Sequence, residues 1–470
     1  MQADHRSGMA RIEMDNFQFI DGSWVVDPDA PTVAKGAKVP NPPYEPKIFP
    51  PRTYYDPELN QRETELFWPK VWTMAGRVSD VQEVGDYFTY ELGPESFIIV
   101  RSDADTIKAF YNVCPHRGNR IAYNDIGHAS DFTCSFHSWQ FSLDGELKRI
   151  TDEELFHPKV ICDRPGLKEV RCESWGGFVF VNMDPDAVPL LDFLGCIPEH
   201  FAPYNLENFR IFKDYEIEFN TNWKTAVDAF IEVYHVHSLH PELEVLAETK
   251  RCQHDLLENG HSRTLVPEGL VSHRVEPRPN ELNPALAVML RQYGVDPADY
   301  DGPPDNVREY LIPYKRKWGE ENGVDFSKLS DQQLKDLWNY HVFPNMTLNI
   351  TESVCIVQRW IPHATDPLKC TYSVQTLFPL LNDPSKTLLD ITNQATDSEF
   401  VTMDPDNRPP KVRTTDGMDL GYVLNQDIEQ LQFQQKGIRS RSFDGMRFSY
   451  QEVRIPHYWA EMERYISGEK

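Results

Sequence analysis

Two short segments each pair a cysteine with a histidine, residue types that bind metal clusters. Cys114 and His116 form the first pair, and Cys134 and His137 form the second, with seventeen residues between the pairs. Two thiolates and two imidazoles can hold a [2Fe-2S] cluster in which one iron takes the cysteines and the other takes the histidines. Because imidazoles are neutral, they raise the reduction potential of such a cluster. The pattern therefore predicts a carrier of single electrons.

The same four side chains could instead bind a zinc ion, which takes thiolate and imidazole ligands in a tetrahedron. Zinc fingers usually place two cysteines first and two histidines second, whereas cysteine and histidine alternate here. A single residue between Cys114 and His116 also suits two adjacent irons better than one ion. We therefore favour an iron–sulfur cluster over zinc.

A second group of candidate ligands follows Asn222. Apolar residues from Trp223 to Tyr234 recur at helical spacing, so we predict a helix with Asn222 as its N-cap. Asp228, Glu232 and His235 are four and three residues apart, which would place them on one face of that helix. A carboxylate one turn before an imidazole can accept its ring N–H, as carboxylates beside metal-binding histidines do.

His235 and His240 are the candidate imidazole ligands of this second group. In a regular helix, side chains five positions apart point ~140° away from each other. The two histidines can therefore share one metal only if the helix ends or distorts between them, and Pro241 fits such an ending. The alternative from spacing alone is an exposed histidine cluster, because His237 is also present.

Both groups resemble the motifs of Rieske non-heme iron oxygenases, the α or terminal oxygenase subunits of the ring-hydroxylating oxygenase family. The first match is Cys-Pro-His-Arg-Gly at 114–118, and the second is Asn-Trp-Lys at 222–224 followed by carboxylate-x-Tyr-His-x4-His ending at His240. Ser138 departs from the pattern, because the family usually has glycine there. The resemblance covers most of 65–240 and 340–440.

The resemblance implies two cofactors in each chain. One is a Rieske [2Fe-2S] cluster, and its ligands would be Cys114, His116, Cys134 and His137. The other is a mononuclear iron(II) held by His235, His240 and a distant carboxylate, a facial triad that leaves coordination positions open for dioxygen.

The third iron ligand is identified only through the resemblance. The family places an Asp at the start of a C-terminal helix that ends in Gln-x-Gly. Asp427, upstream of Gln435-Lys436-Gly437, matches this pattern best. Glu429, Asp416 and Asp419 are the alternative ligands, and all four acids could instead be solvated surface residues.

The implied function is a terminal oxygenase that uses O2 and electrons from NAD(P)H to hydroxylate a small aromatic or other hydrophobic substrate, as in aromatic hydrocarbon catabolism. The outcome would be dihydroxylation or monooxygenation. No glycine-rich nucleotide-binding fingerprint follows a strand, so electrons are expected from a partner reductase, with or without a ferredoxin.

Two alternatives remain open at this point. Glu232 stands where most family members have Asp, and Glu occurs there in some quaternary-ammonium oxygenases. This favours an O- or N-demethylating or quaternary-ammonium monooxygenase as the first alternative. The second is a Rieske electron-transfer protein without catalysis, against which the intact His235 and His240 argue.

The resemblance also implies a head-to-tail homotrimer (α3), with an α3β3 assembly as the alternative. In such a ring the cluster of one chain lies beside the iron of its neighbour. We expect Glu232 to bridge His137 of one subunit and His235 of the next, with Asp228 replacing or assisting it.

The composition is that of a globular protein of two domains, with 470 residues, 26% charged and 40% hydrophobic. The net charge of −26 argues against nucleic-acid binding, which requires lysine and arginine. The sequence has neither a run of eighteen apolar residues nor an apolar segment near its charged N-terminus. We therefore predict no membrane span, no secretory signal and a cytoplasmic location. The six other cysteines are expected to be reduced thiols.

We predict an α+β protein with an all-β Rieske domain before a catalytic domain. Residues 1–50 would form an extended N-terminal arm, because prolines are frequent there. Residues 51–185 would form the Rieske domain, with both ligand segments on loops at one end. Residues 186–470 would form the catalytic domain, an antiparallel sheet covered by helices. Within it, 241–338 would be a partly helical insertion.

Individual elements follow from local patterns. Short apolar runs bounded by turn residues predict strands. These are 97–100, 177–182, 346–350, 354–360 and 371–378, and a helix is expected over 331–338.

Overall fold

The computed structural model describes residues 18–20, 23–25, 47–390, 399–402, 404, 408–414 and 419–470. Most of the predicted arm over 1–50 lies outside this part of the chain. Within the arm, Gln18–Ile20 and Ser23–Val25 pair with each other, and Ser23–Val25 also pairs with Gln253–Leu256 of the catalytic domain. This part of the arm therefore adds strands to a sheet.

A seven-stranded antiparallel sheet forms the N-terminal β-domain. Its strand Glu95–Arg101 contains the predicted run 97–100, whose four apolar side chains are fully buried. In spatial order the strands are Thr73–Arg77, Phe178–Asn182, Glu169–Trp175, Ile107–Tyr111, Glu95–Arg101, Asp86–Leu92 and Ile126–His128.

A second, three-stranded sheet lies next to the cysteine–histidine segments. The segment at Cys114 follows the strand Ile107–Tyr111, and the segment at Cys134 joins Phe132–Thr133 to Gln140–Phe141. The third strand of this sheet is Leu147–Arg149. Both segments lie on loops, as predicted, and the second connects two paired strands directly.

A ten-stranded sheet forms the centre of the catalytic domain. Neighbouring strands are antiparallel except for Phe209–Phe219 and Val412–Thr414, which pair in parallel. The predicted strands over 346–350, 354–360 and 371–378 are present with small shifts. In spatial order the strands are Gln18–Ile20, Ser23–Val25, Gln253–Leu256, Ser262–Pro267, Asp336–Val342, Met346–Ile350, Cys355–Pro362, Cys370–Pro379, Phe209–Phe219 and Val412–Thr414. Leu388–Asp390 and Glu399–Val401 form a separate pair.

Helices surround this sheet. Two of them, Trp223–Phe230 and Tyr422–Ile438, carry or precede candidate iron ligands. The other α-helices are Pro57–Arg62, Leu190–Leu194, Ile197–Phe201, Val236–Leu239, Pro284–Gln292, Val307–Tyr310, Ile312–Asn322, Asp331–Lys335 and Arg454–Ile466. None of the described helices is both long and apolar enough to cross a membrane.

The segment 241–338 differs from its prediction in two ways. It supplies the strands Gln253–Leu256 and Ser262–Pro267 to the large sheet, and its α-helices lie in its later part. The predicted helix over 331–338 ends at Lys335, because Asp336–Val342 pairs with strands on both sides. Long-range strand pairing thus overrides the local helical pattern.

Buried contacts fix the helix Trp223–Phe230 in the domain. The Lys224 ammonium pairs with the buried Glu63 carboxylate, and the Trp223 indole N–H donates to the same carboxylate over 3.1 Å. At its other end, Phe230 packs on Trp360 with ring centroids 5.0 Å apart. These contacts at both ends of the helix fix where the residues after Phe230 begin.

Candidate functional site

The four cluster-ligand candidates come together at one end of the β-domain. The Cys114 and Cys134 side chains are buried, and the rings of His116 and His137 have centroids 4.5 Å apart. His116 also stacks on Trp139 at 5.0 Å with an interplanar angle of 8°. Two buried cysteines and two partly exposed histidines are the donor set that would hold a [2Fe-2S] cluster with mixed thiolate and imidazole ligands.

The backbone of the two ligand segments follows one plan. Gly118 N–H donates to Cys114 O over 3.0 Å, and Ser138 N–H donates to Cys134 O over 2.9 Å. Both closing residues have left-handed backbone angles, with φ of +73° at Gly118 and +58° at Ser138. The departure at Ser138 therefore places a side chain where the turn favours glycine.

Ser138→Gly is expected to stabilise the protein, because a left-handed conformation costs L-residues energy that glycine avoids. We expect the free energy of unfolding to rise by about 0.5–1 kcal/mol, since part of the gain is lost to the more flexible unfolded chain. Calorimetric melting of the cluster-loaded protein measures this. Ser135→Gly is the control at a serine without a left-handed backbone, and it should lose stability because it removes hydroxyl contacts with Tyr123 and Asn119. An equal loss of stability in both variants would contradict the prediction.

His235, His240 and Asp427 converge in the catalytic domain. One ligand atom from each lies within 4.8 Å of the other two, and these three are the only such group of possible metal ligands found among the described residues. His240 Nε2 lies 2.9 Å and His235 Nε2 lies 3.7 Å from Asp427 Oδ1. Two imidazoles and one carboxylate are the donor set of a mononuclear iron(II) facial triad.

Hydrogen bonds fix which nitrogen each histidine presents. His235 Nδ1–H donates to Glu232 Oε1 over 2.5 Å, and His240 Nδ1–H donates to Gln426 Oε1 over 2.7 Å. Both rings therefore turn Nε2 toward Asp427. Burial would lower the pKa of His235, but the Glu232 carboxylate outweighs it and raises that pKa to about 9. A metal ion that binds His235 Nε2 would have to displace the proton that this nitrogen carries in the charged imidazole.

The chain around the histidines is less helical than predicted. The first helix ends at Phe230, and a separate single turn of helix, Val236–Leu239, lies between the two histidines. The Glu232 carboxylate accepts the backbone N–H groups of Tyr234 and His235, which holds the intervening turn. The main break thus lies before His235, but the short helix ends at Leu239, as the predicted ending before Pro241 requires, and the two ring centroids lie 5.2 Å apart.

Asp228 does not share a face with Glu232 and His235, and that prediction is wrong. Because the helix ends at Phe230, the Asp228 carboxylate points elsewhere. It accepts hydrogen bonds from Tyr54 over 2.6 Å and from Tyr458 over 2.5 Å. Burial raises the pKa of Asp228 to about 7, although the tyrosines oppose this. Through these two hydrogen bonds, Asp228 connects the helix Trp223–Phe230 to Tyr54 and to Tyr458 of the C-terminal helix.

The alternative third ligands do not reach the histidines. Glu429 is exposed on the same helix, and the Asp419 carboxylate caps the preceding turn by accepting from Gly421 N–H and Asn425. Asp416 lies outside the described residues. Asp427, in contrast, is buried beside His240.

Sequence reasoning missed Gln426, the residue that orients His240 through its side-chain oxygen. The available signal was its position next to Asp427, since consecutive helix residues can hold neighbouring parts of one site. It also missed how Gln435 anchors this helix. Gln435 Oε1 accepts from Asn222 N–H over 2.9 Å and from Thr225 over 3.1 Å.

A cavity of about 290 Å³ opens beside the three candidate iron ligands. Its volume is near the lower end of the ~300–1,000 Å³ range of small-molecule sites. His235, His240 and Asp427 line one side, and the remaining wall is mostly aliphatic, with Phe230 close to the histidines. A small hydrophobic compound can therefore reach the metal ligands.

A protein-family model described as the ring hydroxylating alpha subunit (catalytic domain) matches residues 206–468, more than half of the chain. The chain belongs to this family. A model of the Rieske [2Fe-2S] domain matches residues 71–158. Domains of these two kinds hold a non-heme iron and a Rieske [2Fe-2S] cluster, so the two expected cofactors are confirmed.

Curated relatives match part of this chain. The glycine betaine monooxygenase oxygenase subunit of Chromohalobacter salexigens is 32% identical over 190 residues, which cover 40% of this chain and 42% of that protein. The carnitine monooxygenase oxygenase subunit of Escherichia coli K12 is 32% identical over 217 residues, covering 46% and 58%. The matched stretch thus spans about half the length of these relatives.

Solved structures share the fold over most of the chain. A quaternary ammonium Rieske monooxygenase in complex with an inhibitor gives a TM-score of 0.61 at 19% identity, over 89% of this chain and 95% of that one. Naphthalene 1,2-dioxygenase from Rhodococcus sp. bound to indole gives 0.62 at 17% identity, over 90% and 95%. The predicted α+β fold, with an all-β Rieske domain before the catalytic domain, is confirmed.

Proposed function

We propose that this protein is a terminal oxygenase that uses O2 to hydroxylate a small, largely hydrophobic organic substrate. The observation that carries the proposal is the meeting of His235, His240 and Asp427 at the wall of an apolar cavity. A metal held there would lie next to any molecule bound in the cavity. An electron carrier would have no use for such a cavity.

The protein's own residues would perform three tasks in this function, which are to orient the imidazoles, exclude water and orient the substrate. When bound, the cluster supplies single electrons and the ferrous ion supplies dioxygen activation. Glu232 and Gln426 hold the two imidazoles with Nε2 toward the metal position. The aliphatic wall excludes water and orients the substrate.

Monooxygenation at an N-methyl or quaternary ammonium compound is the second candidate. It is supported by Glu232 beside His235, where most relatives are expected to have Asp, and by the substrates in the names of the betaine and carnitine relatives. Those proteins match less than half of this chain.

We also propose the partners expected from the sequence. Electrons would come from NAD(P)H through a reductase, with or without a ferredoxin. The chain would assemble as a head-to-tail trimer, a heterologous ring that closes at three, alone or with a β subunit. In that ring Glu232 would connect His137 of one chain to His235 of the next.

The iron content and the origin of product oxygen test the function together. We expect about three irons per chain, because a Rieske cluster holds two and the facial triad holds one. Reaction with 18O2 and a panel of aromatic, alicyclic and N-methyl compounds should label one product, and removing the mononuclear iron with a chelator should abolish labelling. Two irons per chain and no labelled product would identify an electron carrier.

A further inference from the structure

The cavity has a charged wall as well as an apolar one. Glu268, Lys315 and Glu352 line it together with Tyr293, and Glu268 directly follows the strand Ser262–Pro267. We call these four residues the charged wall. None of them belongs to the candidate iron site, and nothing in the proposed chemistry uses them.

Two of the three charged side chains in the charged wall, Lys315 and Glu352, neutralise each other. The Lys315 ammonium lies 3.1 Å from Glu352 Oε1 and also donates to Leu334 O over 2.6 Å. The Tyr293 hydroxyl donates to the same Glu352 oxygen. Lys315 is therefore held within the protein, so it is not available to an anionic substrate.

Glu268 is the exception. Across the ranges that the structure describes, its carboxylate has neither a hydrogen-bond donor nor an ion-pair partner, and its half-buried side chain lines the cavity. Arg308 and Asp336 also act electrostatically on Glu268, and they pair with each other. The surroundings thus hold three carboxylates and two cations.

An unpaired carboxylate at this position needs a partner when it is ionised. Burial raises the pKa of Glu268 to about 7, although Lys315 opposes the rise. A cation in the cavity would return the group to its ionised form and would gain a charge-assisted hydrogen bond in surroundings of low dielectric constant.

We propose that Glu268 binds a protonated amine on the substrate, so that the compound bridges from this carboxylate to the iron ligands across the aliphatic wall. The inference rests on the proposed function, because it defines which substrates the same cavity accepts. The substrate class is a hydrophobic primary or secondary amine, whose N–H groups the carboxylate can accept.

The lining favours an N–H donor over a quaternary ammonium group. Quaternary ammonium ions are usually held by several aromatic faces. Here the aromatic residues of the lining are Phe230 and Tyr293, and the Lys315 ammonium already lies 5.1 Å above the Tyr293 ring. The charged wall therefore offers a hydrogen-bond acceptor but no aromatic cage.

Calorimetric titration of the metal-loaded protein with 3-phenylpropylamine tests the proposal. The comparison ligands are 3-phenyl-1-propanol, which is neutral, and 3-phenylpropyltrimethylammonium, which lacks N–H. We expect the amine to bind about tenfold or more tightly than either, the low end for a hydrogen bond to a charged group. In Glu268→Gln the preference should disappear, while binding of the alcohol should persist.

Glu281→Gln is the matched control, since it makes the same change at an exposed acid outside the cavity and should keep the preference. Equal binding of amine and alcohol by the wild-type protein, or an unchanged preference in Glu268→Gln, would overturn the proposal. Binding of the trimethylammonium compound as tight as that of the amine would overturn it too. Glu268-dependent amine binding without 18O incorporation would support this proposal and count against the oxygenase function.

Discussion

Asp427→Ala is expected to remove the mononuclear iron and to leave the cluster intact. The Asp427 carboxylate is the only acidic group within reach of both His235 Nε2 and His240 Nε2 in the described structure. Two imidazoles alone make a weak iron(II) site, because hard oxygen ligands contribute to holding this ion. Even residues that only orient a metal ligand cost about 10–100-fold in activity when replaced, so loss of a ligand should cost at least the upper end of that range.

The measurement combines iron analysis with the visible spectrum. Iron should fall by about one of three ions per chain while the cluster absorbance stays, since the two sites lie in different domains. Glu429→Ala is the control, because it removes an exposed acid from the same helix. Full activity in Asp427→Ala would show that another acid completes the site.

The positions of individual strands were predictable because a short run of apolar residues indicates a buried strand. The strand Phe178–Asn182 is buried along its whole length, and so is nearly all of Cys355–Pro362. What the sequence could not reveal is which strands pair. The ten-stranded sheet joins Ser23–Val25 to Gln253–Leu256, and no short-range pattern links segments so far apart.

The helix before the iron ligands shows where periodicity misleads. Ile231 and Tyr234 continue the apolar spacing, yet the helix ends at Phe230. The Glu232 carboxylate accepts backbone N–H groups two and three residues ahead, a local arrangement that competes with helical hydrogen bonds. This competition depends on side-chain geometry and leaves no glycine or proline as a signal before Pro241.

The candidate ligands themselves were predictable, whereas the residues that orient them were not. Cysteine, histidine and their spacing limit the possible chemistry, and the resemblance supplied Asp427. Gln426 and Glu268 carry no comparable signal, because a glutamine or glutamate is ordinary at an exposed helix or strand end. Their roles come from three-dimensional neighbours, such as the His240 ring for Gln426.

Glu232→Gln is expected to slow electron transfer between subunits while both metals stay bound. The Glu232 side chain is 9% exposed, and it lines the cavity while it accepts from His235 Nδ1. Glu232 Oε2 already accepts the backbone N–H groups of Tyr234 and His235, so an N–H from the partner's ring would take the second acceptor position of Oε1, beside His235 Nδ1. Glutamine has only one side-chain acceptor oxygen. Its NH2 group would face one of the two ring N–H groups, and two donors cannot form a hydrogen bond.

Single-turnover measurement on protein with a pre-reduced cluster reports this step. We expect cluster oxidation to slow by about 10–100-fold in Glu232→Gln, the usual cost of replacing a group that orients a metal ligand. Sedimentation should give a trimer and iron analysis an unchanged content in wild type and variant alike, which separates slow transfer from lost assembly. Glu429→Gln removes an exposed charge from the helix that carries Asp427 and should leave the rate unchanged. A wild-type rate in Glu232→Gln would exclude the bridge. A monomer that turns over at the full rate would exclude the ring, because in the ring only a neighbouring chain supplies His137 to Glu232.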